Sequence, residues 1–332
     1  MNNSRHHAQE RDIQERDTQE RGAVLLTTLL LMSVMAVITL AIMDDIRFSI
    51  IRTGNVQAVE QLDWHYRGGE LFAQDWLDGM TVDNQKQFDQ LMISDQPVTL
   101  PFEEGEMLIK AHDGRNCFNV NQLARQKSPA RVRGNFARLL TLLEFDPFQA
   151  ESIAAAVQDW VDADNIPVQG GAEGLVYGNR KPAHSAANTL MIDISELRAV
   201  EGIDEEAYQR LKPFVCARRN TRFNRINLNT LRVEEAPLLA LVLRGDESLS
   251  RAQKIIADRP QGGFGSVDEV WERKEIRELD LKGAGKNRVN VETDLVELDI
   301  SLRYGEQVRT GRVVYRLKNG EGAQLVSRRP LD

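Results

Sequence analysis

Two cysteines, five histidines and no concentrated run of positive charge are all that this 332-residue sequence sets against the commonest site chemistries. Past residue 22 the histidines fall to three, His65, His112 and His184, and no serine or cysteine nucleophile motif accompanies them. That leaves no triad and no metal-ligand set on which to build an enzyme. Gly283-Ala-Gly-Lys286 lacks the upstream glycine and the following Ser or Thr of a phosphate-binding loop, and reads as a turn. The net charge of −8 argues against the broad positive face that a nucleic-acid backbone requires. Local arginine clusters, Arg131/Arg133/Arg138 and Arg218/Arg219/Arg222/Arg225, read as solvated surface.

Long hydrophobic runs are absent too, with one exception. Ala23 to Met43 is free of charge and begins abruptly after Arg21-Gly22. At about 1.5 Å per helical residue it spans roughly 30 Å, one bilayer core. The run is too long for a secretory signal peptide and ends in Asp44-Asp45 rather than in small residues. A plain signal anchor is the alternative. Four arginines (5, 11, 16 and 21) precede the run, while Arg47 and Arg52 follow it, which favours a cytoplasmic N-terminus. If the helix delivers the body to an oxidising compartment, Cys117 and Cys216 are placed for one long-range disulfide, the alternative being two buried thiols.

Residues 1–20 are polar, with Gln-Glu-Arg-Asp at 9–12 and again at 14–17, and cannot bury a core. Beyond Asp45, Ile46, Ile50, Val56, Val59, Leu62, Tyr66, Phe72 and Trp76 continue a helical spacing, so one helix is expected from Ala23 to about Asp78. Val98–Phe102, Met107–His112 and Asn116–Val120 read as short strands. Helices are expected at 134–143, 147–161, 195–200, 205–213, 233–244, 250–258 and 267–274, with Asp146 and Ser195 as N-caps. Leu295–Arg303, Gln307–Leu317 and Ala323–Arg329 read as an antiparallel meander. The simplest architecture is α+β: one sheet made from two distant pieces, with a helical domain inserted between them. A faint repeat, Phe118-Asn-Val-Asn-Gln-Leu123 and Ile226-Asn-Leu-Asn-Thr-Leu231, marks equivalent helix starts within the insert.

Asp159-Trp-Val-Asp162-Ala-Asp164, followed by Gly170-Gly171-Ala172-Glu173, can gather carboxylate oxygens for a hard cation, although the spacing is not that of an EF-hand. A solvated acidic loop is the plainer reading. Residues 226–271 resemble the helix-hairpin-helix repeats of DNA-uptake proteins, but Arg244-Gly-Asp-Glu-Ser-Leu-Ser250 replaces the phosphate-binding hairpin with an acidic one. A membrane-anchored DNA-binding protein is therefore the alternative function.

In their order, Arg21-Gly22 before Ala-Val-Leu-Leu-Thr27, the two Asn-x-Asn motifs, Asp159–Asp164, Glu196-Leu-Arg-Ala-Val-Glu-Gly202 and Gly263-Phe-Gly-Ser-Val-Asp-Glu269 resemble the general secretion pathway protein K family. These are the large minor pseudopilins of type II secretion, non-enzymatic subunits of the periplasmic pseudopilus. The resemblance implies cleavage by prepilin peptidase between Gly22 and Ala23, methylation of Ala23, and an inner-membrane single-pass anchor with a periplasmic body. It implies assembly at the pseudopilus tip with minor pseudopilins of the I and J types, contact with the inner-membrane secretion platform, and no nucleic-acid partner. A pilin-like sheet interrupted by a helical domain follows as well, with the leader at 1–22, the helix at 23–78, sheet at 79–121 and 287–332, and the insert at 122–286. Calcium is implied near Asp159, Asp162, Asp164 and Glu173. Glutamate stands fifth in most mature pilins; Thr27 stands there instead, which suits a subunit at the tip.

Overall fold

In the computed structural model, the described residues are 3–80, 82–103, 105–277, 285–318 and 322–331, without the side chains of 3–23, 82–84 and 275. Two compact units result, Met1–Trp64 and His65–Asp332, divided within the first helix, α1 (Asn3–Asp78).

In the first unit, every side chain from Val24 to Gln57 is exposed, and by length and composition the helix from Val24 onward can cross a membrane. The four hydroxyls of its apolar run are satisfied within the helix. Thr27, Thr28 and Ser33 donate to the carbonyls of Val24, Leu25 and Leu30 at 2.9, 2.9 and 2.7 Å, and Thr39 donates to that of Met35 at 2.8 Å. This leaves an apolar outer surface suited to lipid or to other helices.

The second unit opens on the last turns of α1, followed by α2 (Val82–Ser94), β1 (Val98–Phe102) and β2 (Gly105–Asp113). After a helical insert come β7 (Leu295–Tyr304), β8 (Gln307–Lys318) and β9 (Gly322–Pro330); the intervening short strands β3 to β6 are described below. These five strands make one antiparallel sheet in the order β1-β2-β7-β8-β9. Strand alternation sends Met107, Ile109 and Ala111 of β2 and Leu298, Ile300 and Leu302 of β7 inward. The end of α1 lies against this sheet. Gly69 packs closely there: a Cβ would fall 2.1 Å from the Met107 sulfur, so the end of that side chain would have to move. Tyr315 donates to the Glu70 carbonyl at 3.1 Å, Glu70 pairs with Arg328 at 2.8 Å, and Asp78 accepts from the backbone N–H of Ala323.

α2 was not expected from the sequence. Its first turns are polar, and among its described side chains the buried apolar ones are Phe88 and Met92, with the Phe88 ring edge-on to Trp76 at 5.0 Å. Tertiary contact rather than amphipathic periodicity defines it.

The insert consists of two modules built alike. The first contains β3 (Phe118–Asn119), α3 (Pro129–Leu142), α4 (Pro147–Val161), α5 (Gly174–Gly178), α6 (Glu205–Leu211) and β4 (Val215–Cys216). The second contains β5 (Ile226–Asn227), α7 (Ala236–Leu243), α8 (Ser248–Ala257), α9 (Val267–Trp271), α10 (Lys274–Arg277) and β6 (Val289–Asn290). Each opens on Asn-x-Asn and closes by a parallel two-residue bridge, β3 to β4 and β5 to β6. The first asparagine of each motif accepts from the N–H of the second, Asn119 from Asn121 at 3.3 Å and Asn227 from Asn229 at 3.0 Å. The second asparagine grips both backbone groups of one distant residue. Asn121 holds Met191 at 2.8 and 2.9 Å, and Asn229 holds Phe264 at 2.7 and 3.0 Å. The short sequence echo is thus a repeated hydrogen-bonding device that staples each module shut.

α4 begins at Pro147 as expected, with Asp146 accepting from the N–H groups of Phe148 and Gln149. α3 begins five residues before the expected start, at Pro129. The cap expected at Ser195 is Asp193, whose carboxylate accepts from the Ser195 N–H at 2.9 Å while Glu196 reaches back to the Asp193 N–H at 3.2 Å. A carboxylate two residues upstream outcompetes the serine for this role.

Arg218 also leaves the surface expected of it. It meets buried Glu297 at 2.5 Å, and Glu297 meets Arg312 at 3.2 Å. Burial alone would raise the Glu297 carboxyl, but Arg218 and Arg312 outweigh it and hold the group below its ordinary range. This cluster lines a polar cleft of about 330 Å³ between sheet and insert.

Candidate functional site: the acidic loop and the apolar helix

The acidic loop starts where α4 ends. Asp159, one turn before the end, is fully buried and accepts from the N–H of Val168 at 3.1 Å through Oδ1. The chain then returns over it. A Cβ on Gly171 would lie 2.0 Å from Asp159 Oδ2 and 3.1 Å from the Val168 carbonyl oxygen, so any larger residue would displace the buried carboxylate, and Gly170 just before it turns at φ +80°. Asp162 caps the C-terminus of α4. Asp164 accepts from the N–H of Ile166 at 2.9 Å, and Asn188 braces the loop by donating to the Asp164 carbonyl at 2.7 Å.

Four oxygens are left without a hydrogen-bond partner: Asp159 Oδ2, Asp162 Oδ1 and both carboxylate oxygens of Glu173, a residue only 5% exposed. Electrostatics match this picture. Burial first, and neighbouring Glu173 in addition, push Asp159 up to about 6. Burial followed by Asp164 and Asp159 pushes Asp162 up to about 6. Burial, Asp162 and Asp164 raise Glu173 as well. Unpartnered, mutually repelling carboxylates form a donor set that a hard cation would satisfy. They do not form a finished shell, since among the described residues no three His, Cys, Asp or Glu side chains converge as metal ligands. The four acids expected to act together are therefore electrostatic neighbours, and a cation would have to draw them in.

Cys117 and Cys216 form a disulfide with a Cα–Cα distance of 5.7 Å, next to the β3–β4 bridge, so both covalent and hydrogen-bonded closures of the first module coincide. Gly22 and Ala23 lie outside the described side chains. Thr27 is exposed on α1.

One cluster went unread in the sequence. Asp113, buried at the end of β2, accepts from Asn227 at 2.7 Å, Thr230 at 2.8 Å and Thr293 at 3.2 Å, while Thr293 also reaches Asp89 of α2 at 3.1 Å. Burial pushes both Asp113 and Asp89 up to about 6. The second Asn-x-Asn was the available signal, because Asn227 is its first member.

Known proteins decide the family. The first module matches a family model described as type II secretion system protein K over residues 116–220, and the second matches another of the same description over 226–292. Type II secretion system protein K of Pectobacterium carotovorum is 32% identical over 89% of this chain and 92% of its own length. That of Aeromonas hydrophila is 31% identical, covering 70% of this chain and 73% of its own. The chain belongs to the type II secretion system protein K family. As a protein K it is a minor pseudopilin, and the matched segments begin and end almost on the Asn-x-Asn strands and their closing bridges. Residues 226–271, which resemble DNA-binding hairpin repeats, fall within the second protein K segment. The fold agrees with a chain in the crystal structure of the GspK-GspI-GspJ complex from the enterotoxigenic Escherichia coli type 2 secretion system. The TM-score is 0.73 at 24% identity, over 85% of this chain and 99% of that one.

Proposed function

We propose that this protein is a non-enzymatic subunit at the tip of the periplasmic pseudopilus, joined there to minor pseudopilins of the I and J types and helping to initiate assembly. The observation that carries this reading is the exposed apolar surface of α1 together with Thr27. An acidic side chain at that position can neutralise the buried amino terminus of a neighbour, and an unpaired charge in lipid is costly. A subunit with threonine there needs no such neighbour. In the membrane, α1 serves as a single-pass anchor of the inner membrane with the body in the periplasm. On extraction by the secretion platform, the same apolar surface is covered by partner helices. Prepilin peptidase would cut between Gly22 and Ala23, and Ala23 would then be methylated. Mass spectrometry of the chain coexpressed with the peptidase tests this: a mature N-terminus at methylated Ala23 is expected, and an intact Met1 chain would contradict it.

Asp159, Asp162, Asp164 and Glu173 would hold calcium, which supplies the positive charge that the loop's own residues do not. Calorimetry should show calcium affinity reduced at least about tenfold in the double variant Asp162→Ala, Asp164→Ala. Unchanged binding would remove these ligands.

A further inference from the structure

The loop joining the two modules carries Arg218, Arg219, Arg222 and Arg225, but Arg218 turns inward to Glu297. Phe223 of the same loop holds two other guanidinium groups within cation–π distance, Arg125 at 4.8 Å and Arg288 at 4.4 Å from the ring centroid. Arg131 and Arg244 also lie within electrostatic reach of Arg288, and burial together with these like charges lowers the Arg288 guanidinium from its ordinary value. Ion pairs among the described residues engage other arginines, such as Arg115, Arg180, Arg232 and Arg312, and none of these four. A chain of net charge −8 has thus gathered four unpaired guanidinium groups in one place, where their mutual repulsion opposes folding.

A small cavity of about 40 Å³ adjoins them, lined in part by Phe223 and Arg288. Two polar atoms on its wall lack partners: Oε1 of Gln122, a residue only 2% exposed, and Nδ2 of Asn135. One is an acceptor and the other a donor. A space of this size holds about one water, which can bridge the two, and a net charge of −8 disfavours a phosphate backbone as the partner of the arginines. Guanidinium forks in turn match carboxylates in bidentate geometry.

We propose that this arginine face docks a carboxylate-bearing polypeptide segment of a partner protein, its acidic side chains on Arg125, Arg131, Arg244 and Arg288. Neither α1 nor the acidic loop takes part, so failure here would leave the tip assignment standing. Fluorescence anisotropy on the full chain in detergent, with a labelled octaglutamate peptide and an equally labelled DNA duplex, tests it at about 50 mM and about 300 mM salt. Wild type is expected to bind the peptide more tightly than the duplex. Binding should weaken at least about tenfold in Arg125→Gln, Arg288→Gln and in the exposed pair Arg131→Glu, Arg244→Glu. Arg316→Gln on the sheet should leave it unchanged. The exposed pair, whose melting temperature should match or exceed that of wild type, keeps the test decisive if the half-buried pair misfolds. No peptide binding by wild type, equal binding by both double variants, or tighter binding of the duplex through these arginines would overturn the proposal.

Discussion

Asn121 and Asn229 each do with one side chain what a strand does with its backbone, donating and accepting at a single distant residue. Replacing either with alanine strands buried backbone groups, at about 1–3 kcal/mol for each group left unsatisfied. Asn121→Ala and Asn229→Ala should therefore each lower stability by roughly 2–4 kcal/mol in urea titrations. A loss like that of an exposed substitution would contradict the staple role. Carboxylates make the second argument at this scale. Asp89, Asp113, Asp159 and Asp162 all stand near 6 in the folded chain against 3.8 ordinarily. Between about pH 4 and 6 the folded state holds more protons than the unfolded one, so stability falls as pH rises through that window. Without calcium, the melting temperature should be higher near pH 5.5 than near pH 7.5, and added calcium should narrow the gap at the higher pH by binding the ionised loop. A calcium-free melt that rises with pH across this window would contradict it.

Elements differ in how far the sequence announces them. α4 and α6 carry their caps in plain view, Asp146-Pro147 and Asp204, and β1 was legible because Pro97 and Gly105 frame it. α2 was not, because its packing rests on Phe88 against Trp76 and on Asp89 accepting from Thr293 far along the chain. The acidic loop was legible as a cluster of charges but not as a shape. Its conformation depends on Gly171 passing over Asp159 and on Asn188 bracing from another segment, contacts that spacing alone does not encode. The same dependence gives an element-scale prediction for the seam between α1 and the sheet. Gly69→Val places a side chain where the Met107 sulfur sits, and displacing Met107 or lifting the end of α1 from β2 should cost about 1–3 kcal/mol. Limited proteolysis after residue 64 should then become faster; an unchanged cleavage rate would show that the seam has room to spare.

Across the whole molecule, two structural features separate body from assembly. The insert is closed internally, by paired asparagine staples, two parallel bridges and a disulfide spanning 99 residues. Closing such a loop contributes about 4.7 kcal/mol on the chain-entropy account, so reduction should lower the melting temperature by several degrees or more. The apolar surface of α1, by contrast, is complete only in lipid or against other helices. An autonomous body on an incomplete helix is what a filament subunit requires, and the proposed tip position would add that one neighbour is missing. Coexpression of the full chain with I-type and J-type minor pseudopilins and the prepilin peptidase, followed by native mass spectrometry of the detergent extract, tests this most directly. A complex holding one copy of each, lost when α1 is removed, is the predicted result; a processed chain that extracts as a monomer beside its intended partners would contradict the account.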